Sequence, residues 1–121
     1  MAENYAKAWC SHDPEAVASF YAEDGRIIIN NGEPSIGRSG IVDMAQAFYS
    51  DFPDLIVRMD GFRSSGTHAV FMWTLEGTHS TTGNPVKASG WEYWRYTEEG
   101  LVAEAAGHFD ADDYQRQVDG V

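Results

Sequence analysis

One cysteine and eight basic residues are all that 121 positions contain of two chemically useful classes, and each scarcity excludes something. A single Cys10 excludes an internal disulfide, and its place beside Ala6 and Trp9 on a predicted helix leads us to expect buried filler rather than a nucleophile. Eight Lys and Arg against nineteen Asp and Glu give a net charge of −11, which repels phosphate backbones and anionic lipid. Lys7, Arg38, Arg63 and Arg116 are scattered rather than clustered, so no nucleic-acid partner is expected, and the acidity slightly favours a neutral or cationic one. No apolar run approaches membrane-spanning length and no basic-then-apolar leader opens the chain, so we expect no membrane partner and a soluble, cytoplasmic protein. Neither HxH nor HExxH spacing occurs, and no glycine-rich loop follows a predicted strand. We therefore expect no metal site and no cofactor. The length fits a single domain spanning 1–121, with roughly two-thirds of the unfolded surface buried on folding.

What is present is ordered helices first, strands later. Tyr5, Ala6, Trp9 and Cys10 recur at helical spacing; Asp13 then stands where an N-cap belongs, with Pro14 at the first helical position and Glu15 in the first turn. The second helix should carry Ala16, Val17, Phe20 and Tyr21 on one face and stop at Glu23-Asp24-Gly25, before the β-branched run Ile27-Ile28-Ile29. Asn31 to Pro34 breaks the chain. Ser39 can cap a third helix in which Ile41, Met44, Ala45 and Phe48 follow the i, i+3, i+4, i+7 rule, ended by Phe52-Pro53-Asp54. Four strands follow, Leu55 to Phe62, Thr67 to His79, Val86 to Thr97 and Leu101 to Phe109, joined as an antiparallel meander. The acidic tail from Asp110 to Val121 reads as a frayed turn or short helix at the rim. This order predicts an α+β domain with helices on one face of a curved sheet.

Period-two alternation assigns the faces. Ala69, Phe71, Trp73, Leu75, Gly77 and His79 share one face of their strand; Ala88, Gly90, Glu92, Trp94 and Tyr96 share one face of the next. The opposite face carries Ser89, Trp91, Tyr93 and Arg95. A sheet aromatic on both sides needs two covers, and the helices suffice for one, so a homodimer through the convex face is expected. Glu92, between Gly90 and Trp94 on its own face and near Trp73 and Leu75 across the hairpin, would lose hydration, which raises a carboxyl pKa. A neutral carboxylic acid in such a site can donate to a developing oxyanion. The ordinary alternative is a solvated Glu, or one paired with Arg95 or Arg58.

The segment Tyr5 to Ile29 resembles the N-terminus of the ketosteroid isomerase and nuclear transport factor superfamily. Gly77-Thr78-His79, Gly83-Asn84-Pro85 and Phe109-Asp110 are similar to the pattern of its SnoaL-like polyketide cyclases. The resemblance implies a cone-shaped barrel (nuclear transport factor 2-like, cystatin-like), with the curved antiparallel sheet wrapped around N-terminal helices. It implies that Tyr5 and Glu92 occupy the oxyanion-hole positions of ketosteroid isomerases, and that His79 and Glu92 flank the substrate as in the cyclases. The isomerases' catalytic aspartate corresponds here to Ile28 or Ile29, which argues against steroid isomerisation by that route. A His and an Asp common in the cyclases are replaced by Ala105 and Gly107, small residues expected to widen the cavity.

Together these observations predict an apolar pocket for a small carbonyl-containing, cyclic or polyketide-like ligand. The expected catalytic residues are Glu92, His79 and Tyr5, with Tyr21 a second candidate donor to the oxyanion. The expected walls are Trp9, Tyr21, Phe48, Trp73, Trp94, Gly107 and Phe109. The enzyme would be a cofactor-independent isomerase, cyclase or dehydratase; the alternative is a non-catalytic hydrophobic-ligand-binding or dimerisation domain. His12, His68 and His108 are expected to play structural parts.

Overall fold

Tyr5 and Trp9 stand one helical turn apart, and with Ala2, Ala6 and Ala8 they form the buried face of α1 (Ala2–Cys10) in the computed structural model, which describes all residues 1–121. Cys10 is exposed rather than buried filler. It is the last residue of α1, and its Sγ donates to the Val57 carbonyl at 3.2 Å. Asp13 caps α2 (Pro14–Ala18) as expected, accepting from the Glu15 N–H at 3.0 Å. That helix is only five residues long. Phe20 and Tyr21 leave it because the Val102 N–H reaches the Phe20 carbonyl at 2.9 Å and draws the chain into a sheet.

Strand β1 therefore runs from Tyr21 to Ile29, and Glu23-Asp24-Gly25 is an irregularity inside it rather than a stop before it. Gly25 is required there, since a Cβ would stand 2.8 Å from the Val102 carbonyl oxygen. Asn30 and Asn31 turn the chain with φ of 50° and 59°, a region asparagine tolerates. The chain returns as a two-residue strand β2 (Ser35–Ile36) on β1. α3 (Gly37–Asp51) begins two residues before Ser39, so Ser39 is not its cap; Ile36 precedes it without a side-chain cap. Ile41, Ala45 and Tyr49 form its buried face, and the Tyr49 hydroxyl donates to the Trp9 carbonyl at 2.7 Å, tying α3 to α1.

The meander appears where the alternation places it: β3 (Ile56–Ser65), β4 (His68–Thr78), β5 (Pro85–Tyr96) and β6 (Val102–Phe109). The sheet order is β2-β1-β6-β5-β4-β3. The expected α+β fold, a curved sheet around N-terminal helices, is present, with two details added. The sheet is not wholly antiparallel, because β1 runs parallel to β6, with Ile27 opposite Ala105 and Ile29 opposite Gly107. Nor is the barrel closed: β2 and β3 remain edges, giving a curved six-stranded sheet with helices on its concave side. The tail is a capped helix, α4 (Ala111–Asp119), rather than a frayed turn. Asp110 accepts from the Asp113 N–H at 3.0 Å, and Gly120 ends the helix with φ 78°. Gln117 docks α4 by exchanging two hydrogen bonds with the backbone of Lys87.

Candidate functional site

On the concave face, the predicted parity holds on β4 and β5. Ile27 and Ile29 of β1, Phe71, Trp73 and Leu75 of β4, Ala88 and Glu92 of β5, and Gly107 and Phe109 of β6 surround a cavity of about 60 Å³. Trp9, Met44, Phe48, Val57 and Tyr114 complete the wall from α1, α3, β3 and α4. An apolar cavity of ~150 Å³ holds a benzene ring, so the enclosed space suits a ligand of a few non-hydrogen atoms.

Glu92 is the only carboxylate in this wall, and the pairings place Phe71 on one side of it and Gly107 on the other. A Cβ at Gly107 would sit 3.6 Å from Glu92 Cγ, ordinary contact, so the cavity beside the carboxyl is space that a larger residue would fill. Oε1 of Glu92 accepts two hydrogen bonds, from Trp94 Nε1 at 2.9 Å and from the Tyr5 hydroxyl at 3.2 Å. The Tyr5 oxygen lies 2.9 Å from the Tyr21 hydroxyl. Since Tyr5 donates its only proton to the carboxylate, Tyr21 must donate to Tyr5. Glu92 takes part in no ion pair: Arg58 pairs with Asp60 and Glu76, and Arg95 is exposed.

Burial dominates the electrostatics. Glu92 is 8% exposed, and desolvation pushes its carboxyl from the ordinary 4.5 up to about 7, against the opposing pull of the Trp94 and Tyr5 donors. Burial, reinforced by the Glu92 charge, holds the Tyr5 and Tyr21 phenols well above their usual value, so both remain donors at neutral pH.

The structure brings together some of the predicted residues and separates others. Glu92, Trp9, Phe48, Trp73, Gly107 and Phe109 line the cavity. Tyr5, Tyr21 and Trp94 do not; all three are fully buried behind Glu92, with Trp94 stacked on Phe71 at 5.2 Å and Tyr5 edge-on to both at 5.1 and 5.3 Å. His79 is elsewhere. It follows the end of β4, eight residues beyond Phe71, which is paired with Glu92; at about 3.3 Å per residue that is roughly 26 Å along the strand. Its ring lies edge-on to Phe52 at 5.5 Å, and Nδ1 accepts from the N–H groups of Thr81 and Thr82. The rest of that motif is equally local: Gly77 admits Phe52, where a Cβ would be 3.0 Å from Phe52 Cβ, and the Thr78 N–H donates to Asp54 at 2.7 Å. Ala105 is fully buried opposite Trp94 and does not widen the cavity.

Sequence reasoning passed over Phe71 and Leu75, although they share Trp73's face, and Tyr114, because the tail was not read as a docked helix. Asp110 and Gly120 bracketing nine residues were the available signal for α4. His12 hydrogen-bonds the Leu55 carbonyl, His68 the Tyr93 hydroxyl, and His108 lies against Trp91. None reaches the cavity. No three His, Cys, Asp or Glu side chains converge anywhere in the molecule.

A curved, unclosed sheet folded over N-terminal helices and an apolar cavity is the ketosteroid isomerase-like class of α+β fold. Within that class the chain belongs to the SnoaL-like domain family, whose sequence profile matches residues 2–105. A ketosteroid isomerase-like protein from Catenulispora acidiphila, solved in complex with trimethylamine, is similar at 17% identity and TM-score 0.87, covering 96% of this chain and 89% of that one. AclR from Streptomyces galilaeus, a proposed hydroxylase, is similar at 17% identity and TM-score 0.81, covering 98% and 92%. A proposed SnoaL-like polyketide cyclase from Jannaschia sp. CCS1 is similar at 15% identity and TM-score 0.85, covering 97% and 87%. No curated protein matches the sequence. The family match ends inside β6, so Gly107, Phe109 and Tyr114 lie beyond it.

Proposed function

We propose that this protein binds a small, mainly apolar carbonyl compound and that Glu92 alone moves a proton on it. One observation carries the reading: a single desolvated carboxyl, with a pKa pushed up to about 7, faces an otherwise hydrocarbon and aromatic cavity. Near neutrality such a group is populated in both forms, which general acid/base work requires. The carboxylate removes a proton from the carbon next to the carbonyl, leaving an enolate and a neutral acid; the acid then returns a proton to the same or a neighbouring carbon. Tyr5 supports Glu92 from behind and does not reach the ligand, and His79 has no part in the step. Small enolisable ketones and β-keto esters should exchange the α-proton for deuterium in the presence of the protein, with exchange reduced at least ~100-fold in Glu92→Gln. Binding without exchange, at an affinity unchanged in that variant, would leave a passive pocket.

A second reading has its own support. The carboxyl stands among Trp9, Phe48, Phe71, Trp73, Phe109 and Tyr114, an arrangement suited to a small alkylammonium ion, and the net charge of −11 attracts cations. The Catenulispora acidiphila protein holds trimethylamine, a ligand of this size. The two readings differ in the sign of one pH dependence. A cation pairs with the carboxylate, so tetramethylammonium should bind more tightly as pH rises through about 7. A carbonyl oxygen accepts from the neutral acid, so a ketone should bind less tightly over the same interval. Calorimetric titration at pH 6 and pH 8 separates them.

We also propose that the convex face pairs two copies of the chain. Trp91 is 48% exposed there, beside Met72, Tyr93 and His108, and a large exposed aromatic beside other aromatic and apolar surface favours association. Sedimentation at micromolar concentration should give twice the chain mass, and Trp91→Lys should give the chain mass. A wild-type monomer would end this proposal without touching the others.

A further inference from the structure

The two oxygens of Glu92 are treated differently by the protein. Oε1 receives both available donors, Trp94 Nε1 and the Tyr5 hydroxyl, and neither of those residues lines the cavity. Oε2 receives no hydrogen bond from the protein, and it is not among the side-chain polar atoms that are occluded without a partner, of which Trp73 Nε1 is the single case. Since Glu92 itself lines the cavity, Oε2 is the oxygen presented to it.

A carboxyl oxygen that already accepts two hydrogen bonds along its lone pairs has no favourable direction left for a proton of its own. We propose that Trp94 and Tyr5 are positioning residues that reserve Oε2 for the ligand: by both donating to Oε1, they fix the proton of the neutral acid on Oε2, aimed into the cavity. Tyr21 acts one step further back. By donating to the Tyr5 oxygen it orients the Tyr5 proton toward Glu92 and strengthens that bond, as chained hydrogen bonds do. The same two donors favour the ionised form of the acid and so counter burial, which keeps both protonation states available near neutrality. The tyrosine at the first-helix position thus holds the acid from behind instead of meeting the oxyanion.

No other charge confuses the assignment. The titratable groups packed around Glu92 are phenols: Tyr5 of α1 and Tyr21 of β1 behind it, and Tyr114 of α4 across the cavity. What α3, β3, β4 and β6 present to the cavity is Met44, Phe48, Val57, Phe71, Trp73, Leu75, Gly107 and Phe109, none of them ionisable.

The inference rests on the proposed use of Glu92, but its test requires no ligand. The Glu92 carboxyl resonance is followed against pH by carbon-13 NMR in the whole protein. Tyr5→Phe, which removes one hydroxyl, should raise the midpoint by about one pH unit, the size of a charged hydrogen bond lost. Trp94→Phe should raise it in the same direction, and Tyr21→Phe by less. Neutron diffraction below the midpoint should place the deuteron on Oε2. A midpoint unmoved or lowered in folded Tyr5→Phe, or a deuteron on Oε1, overturns the proposal. Absence of exchange activity in wild type, with these shifts intact, would overturn only the catalytic reading.

Discussion

Alternation along the sequence assigns Glu92 and His79 to one face of the sheet, yet His79 falls just past the end of β4 and the surroundings of the two residues have little in common. Around Glu92, α1, β1, β4 and β6 all converge, so the carboxyl loses its water and gains two donors from residues 87 and 2 positions away in sequence. Around His79 less converges: the turn that follows it supplies the N–H groups of Thr81 and Thr82 that its ring accepts, and Phe52 supplies one aromatic edge. The difference teaches that period-two alternation decides which side of a sheet a residue faces, while distance along the strand decides what it meets. Two residues can share a face and never share a ligand.

If that contrast is real, substitutions at the two ends should differ by kilocalories. The largest effect is expected at Trp94→Ala, because removing a fully buried indole stacked on Phe71 leaves a cavity and takes one of the two donors from Glu92. Chemical denaturation should register a loss of about 3–5 kcal/mol. An equal loss at His79→Ala would break the comparison.

Glu92→Gln comes next and should act in the opposite direction. With the folded-state pKa raised from 4.5 to about 7, the folded protein binds more protons than the unfolded chain between those values. Wild-type stability therefore falls as pH rises through that window and is level above it, a total of about 3 kcal/mol. The glutamine variant lacks this slope and should be the more stable protein at pH 8. Parallel stability curves for the two proteins from pH 4.5 to 8 would mean that Glu92 is not desolvated.

Trp73→Phe sharpens the contrast between the two inner tryptophans. The Trp73 N–H is buried without a partner, so its removal recovers a desolvation cost while some packing is lost. Unfolding free energy should change by about 1 kcal/mol or less, well below the effect at Trp94. The smallest effect is expected at His79→Ala, which removes two long hydrogen bonds and one edge contact at a half-buried site. A change within about 1 kcal/mol, with the Glu92 titration and ligand affinity unmoved, is the expected result.

Much of this was legible from residue order. Asp13-Pro14-Glu15 marked a helix start, the alternation of β4 and β5 placed Phe71, Trp73 and Glu92 inward, and the flanking of Glu92 by Gly90 and Trp94 indicated desolvation. The errors share a physical origin. Tyr21 is helix-like by its spacing, but the Val102 N–H claims the Phe20 carbonyl and begins a strand there. Cys10 is apolar by type and at the right spacing, but as the last residue of α1 it stays exposed. Tyr5 and Trp94 carry the right chemistry, yet they stand behind the carboxyl because their rings pack against each other and Phe71.

By itself the sequence determined the order of the main helices and strands, the apolar face of β4 and β5, and that Glu92 sits on that inner face, because these follow from local propensity and periodicity. Only the tertiary structure decided that β1 pairs in parallel with β6, that α4 brings Tyr114 to the cavity, and which oxygen of Glu92 is left open. Those outcomes depend on contacts between residues far apart in the chain, whose distances no local pattern encodes.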